Sequence, residues 1–219
     1  KDSVFSIEEQ SADSVTFCLR QTPETLRQYP FRFTFRVRYA LRGWTVHVTY
    51  SVCNEDEKEL PFGIGGHPGF SCPLTEEDGG FEDYSLYFDD ASGCTVSLTK
   101  DGYMNKELPK LDKLKGTNEL PLKYSDFDND AMIIEYLPKK SVKLISRVSG
   151  KGFRFSFDGF DALGIWTPIK KNAPFICLEP WNGLPADVDE TTDAKSKKYS
   201  KTIAPDEEYT VGYSMEIIR

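Results

Sequence analysis

Between Phe31 and Val52 the chain alternates strictly. Phe31, Phe33, Phe35, Val37, Tyr39 and Leu41 fall on one side, while Arg32, Thr34, Arg36 and Arg38 fall on the other. That is the two-residue period of a strand with one apolar face. Arg42-Gly43 then offers a turn, after which Trp44, Val46, Val48, Tyr50 and Val52 alternate with Thr45, His47, Thr49 and Ser51. Two such runs across a turn predict a long antiparallel hairpin.

The same period returns at Val15 to Leu19, at Phe153, Phe155 and Phe157, and from Tyr209 to Ile217. Shorter candidate strands lie at Tyr84 to Phe88, Thr95 to Leu98, Ala131 to Tyr136, Val142 to Ser146 and Phe175 to Leu178. Helical periodicity is nearly missing, with about one turn offered by Glu24 to Gln28. Many antiparallel strands joined by Gly, Pro, Asn and Asp turns argue for an all-β sandwich or barrel-like sheet pair. Lys100 to Tyr124 and Ala186 to Lys201 read as long surface loops, the usual carriers of ligand contacts on a β scaffold. No internal repeat or linker divides the chain, so residues 1–219 are expected to form a single domain.

Composition narrows the function classes. Hydrophobic residues at 39% and aromatics at 13% suffice for a sizeable core, and charged residues at 28% leave a solvated surface. A net charge of -8 repels phosphate backbones and anionic membranes on average, so no nucleic-acid partner is expected. No apolar stretch approaches the roughly 18 to 20 residues that span a bilayer, and no signal segment opens the chain. Cys18, Cys53, Cys72, Cys94 and Cys177 are odd in number, widely spaced and set among apolar neighbours. They predict reduced thiols and a cytoplasmic protein. With no CxxC pair and only His47 and His67 as histidines, the spacings provide no structural zinc site, and no metal or cofactor is expected.

Two segments have the chemistry to do work. Pro61-Phe62-Gly63-Ile64-Gly65-Gly66-His67-Pro68-Gly69-Phe70 surrounds a lone imidazole with glycines and prolines, which specifies a rigid and unusual backbone path. It lacks the spacings of a nucleotide-binding loop and precedes no helix. A histidine in such a loop also serves well as a purely structural residue. In Phe175-Ile176-Cys177-Leu178-Glu179-Pro180-Trp181, a strand places Phe175, Cys177 and Glu179 on one face, with a carboxylate at the end of an apolar row. Such a carboxylate is expensive unless paired, hydrogen-bonded or wetted in a cleft, and it can equally reach solvent at the strand end. Together His67 and Glu179 suit an acid and base pair, since both groups can be tuned to titrate near neutrality. His47 lies mid-strand with Thr45 and Thr49 and reads as an ordinary polar-face residue. A glycosidase stays open on residue types alone, because its paired carboxylates need no fixed spacing.

GIGGHPGF followed by Ser71-Cys72-Pro73-Leu74, together with ICLEPWNGLPADVDET, resembles the LacX-like branch of the aldose 1-epimerases. Tyr29-Pro30-Phe31, Phe127-Asp128-Asn129-Asp130-Ala131 and Ile203-Ala204-Pro205-Asp206-Glu207 follow the same family order, so the resemblance spans essentially the whole chain. It implies a galactose-mutarotase-like β-supersandwich of large antiparallel sheets. The implied activity is cofactor-free interconversion of the α and β anomers of a free aldohexose. By motif match Glu179 is the base on the anomeric hydroxyl and His67 the acid on the ring oxygen. Asp130 is implied as a sugar-hydroxyl ligand and Trp181 as an apolar wall.

Family members carry an earlier section, including a histidine and an arginine that touch the sugar, and this chain resumes after it, opening at Lys1-Asp2-Ser3. The expectation is a domain incomplete at its N-terminus. Two rival readings accompany the isomerase: a sugar-binding or regulatory protein on the same fold without turnover, and a relative acting on hexose 6-phosphates. The acid–base reading also predicts a sugar-sized gap between the His67 and Glu179 side chains.

Overall fold

The computed structural model of the chain describes residues 3–91, 93–187, 190 and 193–218. From the N-terminus come β1 (Ser6–Gln10), β2 (Ser14–Arg20), the short helix α1 (Pro23–Gln28), and the hairpin of β3 (Phe33–Arg42) and β4 (Thr45–Asn54). Three brief strands follow: β5 (Leu60–Phe62), β6 (Ile64–Gly65) and β7 (Gly69–Ser71). Next are β8 (Tyr84–Phe88), β9 (Val96–Lys100), β10 (Tyr103–Met104), β11 (Glu119–Pro121), β12 (Met132–Glu135) and β13 (Ser141–Ser146). The chain closes with β14 (Gly152–Ser156), β15 (Ala162–Trp166), β16 (Phe175–Asn182), β17 (Lys201–Ile203) and β18 (Glu208–Ile218).

These strands form two principal antiparallel sheets. The larger runs β1-β2-β3-β4-β18-β14-β13-β8-β11, and the smaller β10-β9-β12-β15-β16-β6 with β7 also on β16; β17 and β5 pair apart. Alternation decides what lies between them. Val48 and Tyr50 on β4, Val211 and Tyr213 on β18, Phe153 and Phe155 on β14, and Leu86 on β8 face inward and are buried. They meet Leu98, Met132, Ile134, Leu163, Ile165, Ile176 and Leu178 from the smaller sheet in one continuous core. Both sheets are thus apolar toward each other, as a β-sandwich requires.

The predicted hairpin is present, with Phe35 opposite Val52 and Tyr39 opposite Val48. Its apolar face is not covered throughout. Beyond β4 the larger sheet extends past the smaller one, so the same face passes from buried Val48 to Tyr39 at 42% and Leu41 at 54% exposure, with Ile7 of β1 at 59%. Trp44, read as an inward residue, stands at the hairpin turn and is 64% exposed.

The predicted surface loop at Lys100 to Tyr124 is corrected in part. It contains β10 and β11 and anchors Leu114, Leu120 and Leu122 in the core, each almost fully buried. Leucines spaced without a period are used here as separate pegs, which a periodicity argument does not detect. The second predicted loop, residues 186–201, includes residues 188, 189, 191 and 192, which lie outside those described. No helix among the described residues is long and apolar enough to cross a bilayer, and all five cysteines are free thiols.

Phe155 tests the core. It is fully buried and packs against Phe70, Phe157 and Tyr213. Phe155→Ala should lower unfolding free energy by about 3–5 kcal/mol in a denaturant titration. Val148→Ala, at a 61% exposed position, should stay within about 0.5 kcal/mol of the parent.

Candidate active site

The site lies on the outer face of the smaller sheet, away from the main core. Its geometry follows from one strand pairing. β6 pairs with β16 through Gly65 opposite Trp181, and β7 pairs with the same strand through Gly69 opposite Cys177. Three residues separate the two anchor pairs on each strand, so β6 and β7 are one strand in a single register, and the middle residues, His67 and Glu179, face each other. Two ladder bonds persist beside them, from Gly66 N–H to Pro180 O at 3.1 Å and from Leu178 N–H to Pro68 O at 3.3 Å. Pro68 and Pro180 have no N–H to complete the ladder, so each of these two cross-strand pairs is held by a single bond.

Directly opposed residues on antiparallel strands bring their side chains into contact range. His67 Nε2 accordingly lies 3.3 Å from Glu179 Oε1. The His67 side chain is 60% exposed while that of Glu179 is only 5% exposed, so one partner meets solvent and the other is held in the sheet. The expected sugar-sized gap is therefore corrected. The two groups share one cleft but touch, because nothing stands between cross-strand neighbours. The glycines at positions 65 and 69 leave the imidazole without side-chain neighbours on its own strand face.

Glycine also clears the floor for Trp181. A Cβ at Gly65 would stand 2.7 Å from Trp181 Cδ1, and one at Gly164, which sits opposite Glu179 on β15, would stand 2.8 Å from Trp181 Cζ2. The indole thus lies across two bare positions. Beside it Asn182 is buried and satisfied: Oδ1 accepts from Asp161 N–H at 2.9 Å, and Nδ2 donates to Gly159 O at 3.0 Å and to Tyr209 Oη at 2.8 Å. This locks the end of β16 against its surroundings.

Asp130 sits just before β12 with φ at 143°, a region that L residues seldom occupy. Two bonds hold it there: Oδ1 accepts from Trp166 Nε1–H at 2.9 Å and Oδ2 from Gly102 N–H at 3.2 Å. Trp166 in turn meets the His67 ring edge to face, with centroids 5.6 Å apart. Sequence reasoning missed Trp166, which links Asp130 to His67 from a strand that it also missed. His47 stays outside the site, mid-strand on β4 opposite Ser214 of β18.

Electrostatics set the state of Glu179. Burial first, and then the neighbouring Asp130 charge, push its pKa up from 4.5 to about 7, against the opposing hydrogen bond from the Trp181 side chain. A carboxyl poised near neutrality is matched to proton transfer at physiological pH.

The cleft measures about 370 Å³, near the lower end of small-molecule sites, and is lined by His67, Glu179, Trp181, Leu184, Pro185 and Lys197 among others. Lys197 lies 3.8 Å from Glu190. A neighbouring hollow of about 420 Å³ shares Leu184 and Pro185 but lacks the acid–base pair. Two lysines along it are paired with acids, Lys106 with Asp187 at 2.7 Å and Lys198 with Glu135.

Two packed antiparallel sheets, with an imidazole and a carboxylate in contact on the outer face of one, define a β-sandwich protein with an open, small-molecule-sized cleft. The sequence matches the aldose 1-epimerase family over residues 1–204, and the chain belongs to that family. The plasmid-encoded protein LacX of Lactococcus lactis subsp. lactis is 36% identical over 217 residues, covering 98% of this chain and 72% of that protein. Among solved structures, a galactose mutarotase related enzyme from Lactobacillus acidophilus superposes with a TM-score of 0.89 at 27% identity, covering 98% of this chain and 71% of the other. A galactose mutarotase-like protein from Lactobacillus casei gives 0.87 at 29%, with 98% and 73% covered. The galactose-mutarotase-like fold implied by the sequence motifs is the one observed.

Two measurements follow from this geometry. Gly164→Ala should destabilise the protein by about 1–3 kcal/mol through overpacking against Trp181, and most of that loss should vanish when Trp181 is leucine in the same chain. The second concerns Glu179. The folded state holds this proton more tightly than the unfolded chain does. Its contribution to stability is therefore fully present below about pH 4.5 and is lost as the pH rises through about 7. Glu179→Gln removes that loss, so the variant should gain about 2–3 kcal/mol relative to the parent between about pH 4.5 and about pH 8 in paired denaturation curves.

Proposed function

We propose that the protein is an aldose 1-epimerase-type isomerase that interconverts the α and β anomers of a free aldohexose. The observation that carries this reading is the contact of His67 with a buried Glu179 whose pKa lies near 7, on the wall of a cleft of small-molecule size. Glu179 takes the proton of the anomeric hydroxyl while His67, as imidazolium, gives a proton to the ring oxygen. The C1 to ring-oxygen bond breaks, C1 becomes an aldehyde, rotation about C1 to C2 exposes its other face, and the reverse transfers close the ring.

In the free protein the two groups satisfy each other at 3.3 Å. Sugar binding replaces that contact, and the mobile partner is His67, because Glu179 is fixed in the middle of β16 while His67 is exposed on the loop between β6 and β7. Trp181 offers an apolar face to the C–H side of a pyranose. Asp130 retains lone pairs for a sugar hydroxyl beyond those used by Trp166 and Gly102. Lys197, the lysine that lines the cleft, faces Glu190 at 3.8 Å, which favours a neutral sugar over a phosphorylated one.

Polarimetry on freshly dissolved α-glucose or α-galactose tests the reading. Glu179→Gln and His67→Asn should each slow anomer exchange by about a hundred- to ten-thousand-fold while leaving sugar binding measurable. In the parent, kcat/KM should rise with pH through about 7 as Glu179 loses its proton. A parent that binds sugar but exchanges anomers no faster than buffer would make the protein a sugar-binding relative of the isomerases. Near-parent turnover in Glu179→Gln would move the base elsewhere.

A further inference from the structure

The strand register that joins His67 to Glu179 also brings in a third donor. Cys177 lies two residues before Glu179 on β16, on the same face, and its strand partner across the sheet edge is Gly69, which has no side chain to cover the sulfur. Cys177 is itself buried, and an ideal Cβ at Gly69 would meet its Sγ at 3.6 Å, an ordinary contact distance, so the sulfur lies directly beneath the strand that carries His67. One donor atom each from His67, Cys177 and Glu179 lie within 4.8 Å of one another. The sequence spacings concealed this set, because the histidine arrives from the opposite strand.

We infer that this trio is a binding site for a thiophilic divalent cation of the zinc class, and that the cation competes with the sugar for the acid–base pair. The donor set is one imidazole nitrogen, one sulfur and one carboxylate oxygen, which suits zinc or cobalt and discriminates against magnesium and calcium. With bonds of about 2.0–2.3 Å to a tetrahedral ion, donor atoms sit about 3.3–3.8 Å apart. His67 Nε2 and Glu179 Oε1 already stand at 3.3 Å. The remaining separations, none above 4.8 Å, exceed the tetrahedral spacing by at most about 1.5 Å, and side-chain rotation of the three donors can close them. Three protein donors leave a fourth position open to water, the arrangement of an accessible rather than a sealed zinc site.

On binding, the metal accepts the Nε2 lone pair, a carboxylate lone pair and the thiolate pair left when the Cys177 proton passes to solvent. Those first two lone pairs are the ones that anomer exchange needs for its proton transfers. A bound metal therefore inhibits rather than assists, and this arm of the inference rests on the reaction proposed above. The site itself rests only on the geometry.

The test uses the intact chain, freed of metal by a chelator that is then removed, and titrated with cobalt(II) chloride. One equivalent should bind and give the near-ultraviolet charge-transfer band of a cobalt–thiolate bond. The band should be displaced by zinc and not by an excess of magnesium. Cys177→Ser should abolish the band, and His67→Asn, altered at an exposed loop position, should weaken cobalt binding at least tenfold. In the polarimetric assay, equimolar zinc should suppress anomer exchange, and chelator should restore it. A cobalt complex without the thiolate band, or one that Cys177→Ser binds as tightly as the parent, would overturn the site. A parent with no anomer exchange even in chelator would sink the proposed reaction while leaving the cobalt result to stand or fall alone.

Discussion

The candidate site depends on a strand that is interrupted without losing register. β6 and β7 pair with β16 in one continuous register, and the three residues between them keep two ladder bonds on either side of the point where His67 meets Glu179. Had the loop gained or lost one residue, β7 would have had to shift its pairing, and a one-residue slip turns every side chain to the opposite face. The glycines and prolines of this segment serve that purpose. Gly65 and Gly69 leave the imidazole without side-chain neighbours on its own strand face, while Pro68 and Pro180 each leave their cross-strand pair with a single ladder bond.

The smaller sheet divides labour between its faces. Even-numbered residues of β16, Ile176 and Leu178, are buried in the central core, and odd-numbered Cys177, Glu179 and Trp181 build the site. The fold thus provides rigidity from one side of a strand and chemistry from the other, which is how a sheet holds functional groups with little freedom. Loops supply the walls. Glu135 on β12 holds Lys198 and accepts from Tyr199 Oη at 2.8 Å, and Met104 N–H bonds to Ala186 O at 3.0 Å, so Leu184 and Pro185 are framed from both directions.

Much of this was legible in the sequence where one face of a strand is buried and the other is wet. The β3–β4 hairpin and β18 announce themselves by alternation. β15 does not, because Ala162, Leu163, Gly164 and Ile165 are buried on both faces and show no period. Trp166 was lost with it. β6 and β7 were read as loop, since their glycines and prolines are turn residues by composition and strand residues only by pairing. His67, Glu179, Asp130 and Trp181 were visible as motif residues, but their arrangement was not, because cross-strand pairing is a tertiary fact. The same holds for Cys177, a buried thiol whose closeness to His67 and Glu179 only the cross-strand pairing reveals. The uncovered stretch of β1 to β3 shows the reverse limit: alternation marks which face is apolar, and it does not say whether a second layer reaches it.

The state of Glu179 connects the electrostatics to the choice of ligand. A carboxylate taken out of water and set near a second carboxylate raises its affinity for any positive partner, whether a proton, the His67 imidazolium or a metal ion. Burial does not choose among these; geometry does. A proton occupies one oxygen and leaves the cleft open for sugar, whereas a metal ion must draw in His67 and Cys177 together and close it. Because His67 is the exposed member and Glu179 the fixed one, the position of a single loop imidazole decides which partner the buried carboxylate accepts.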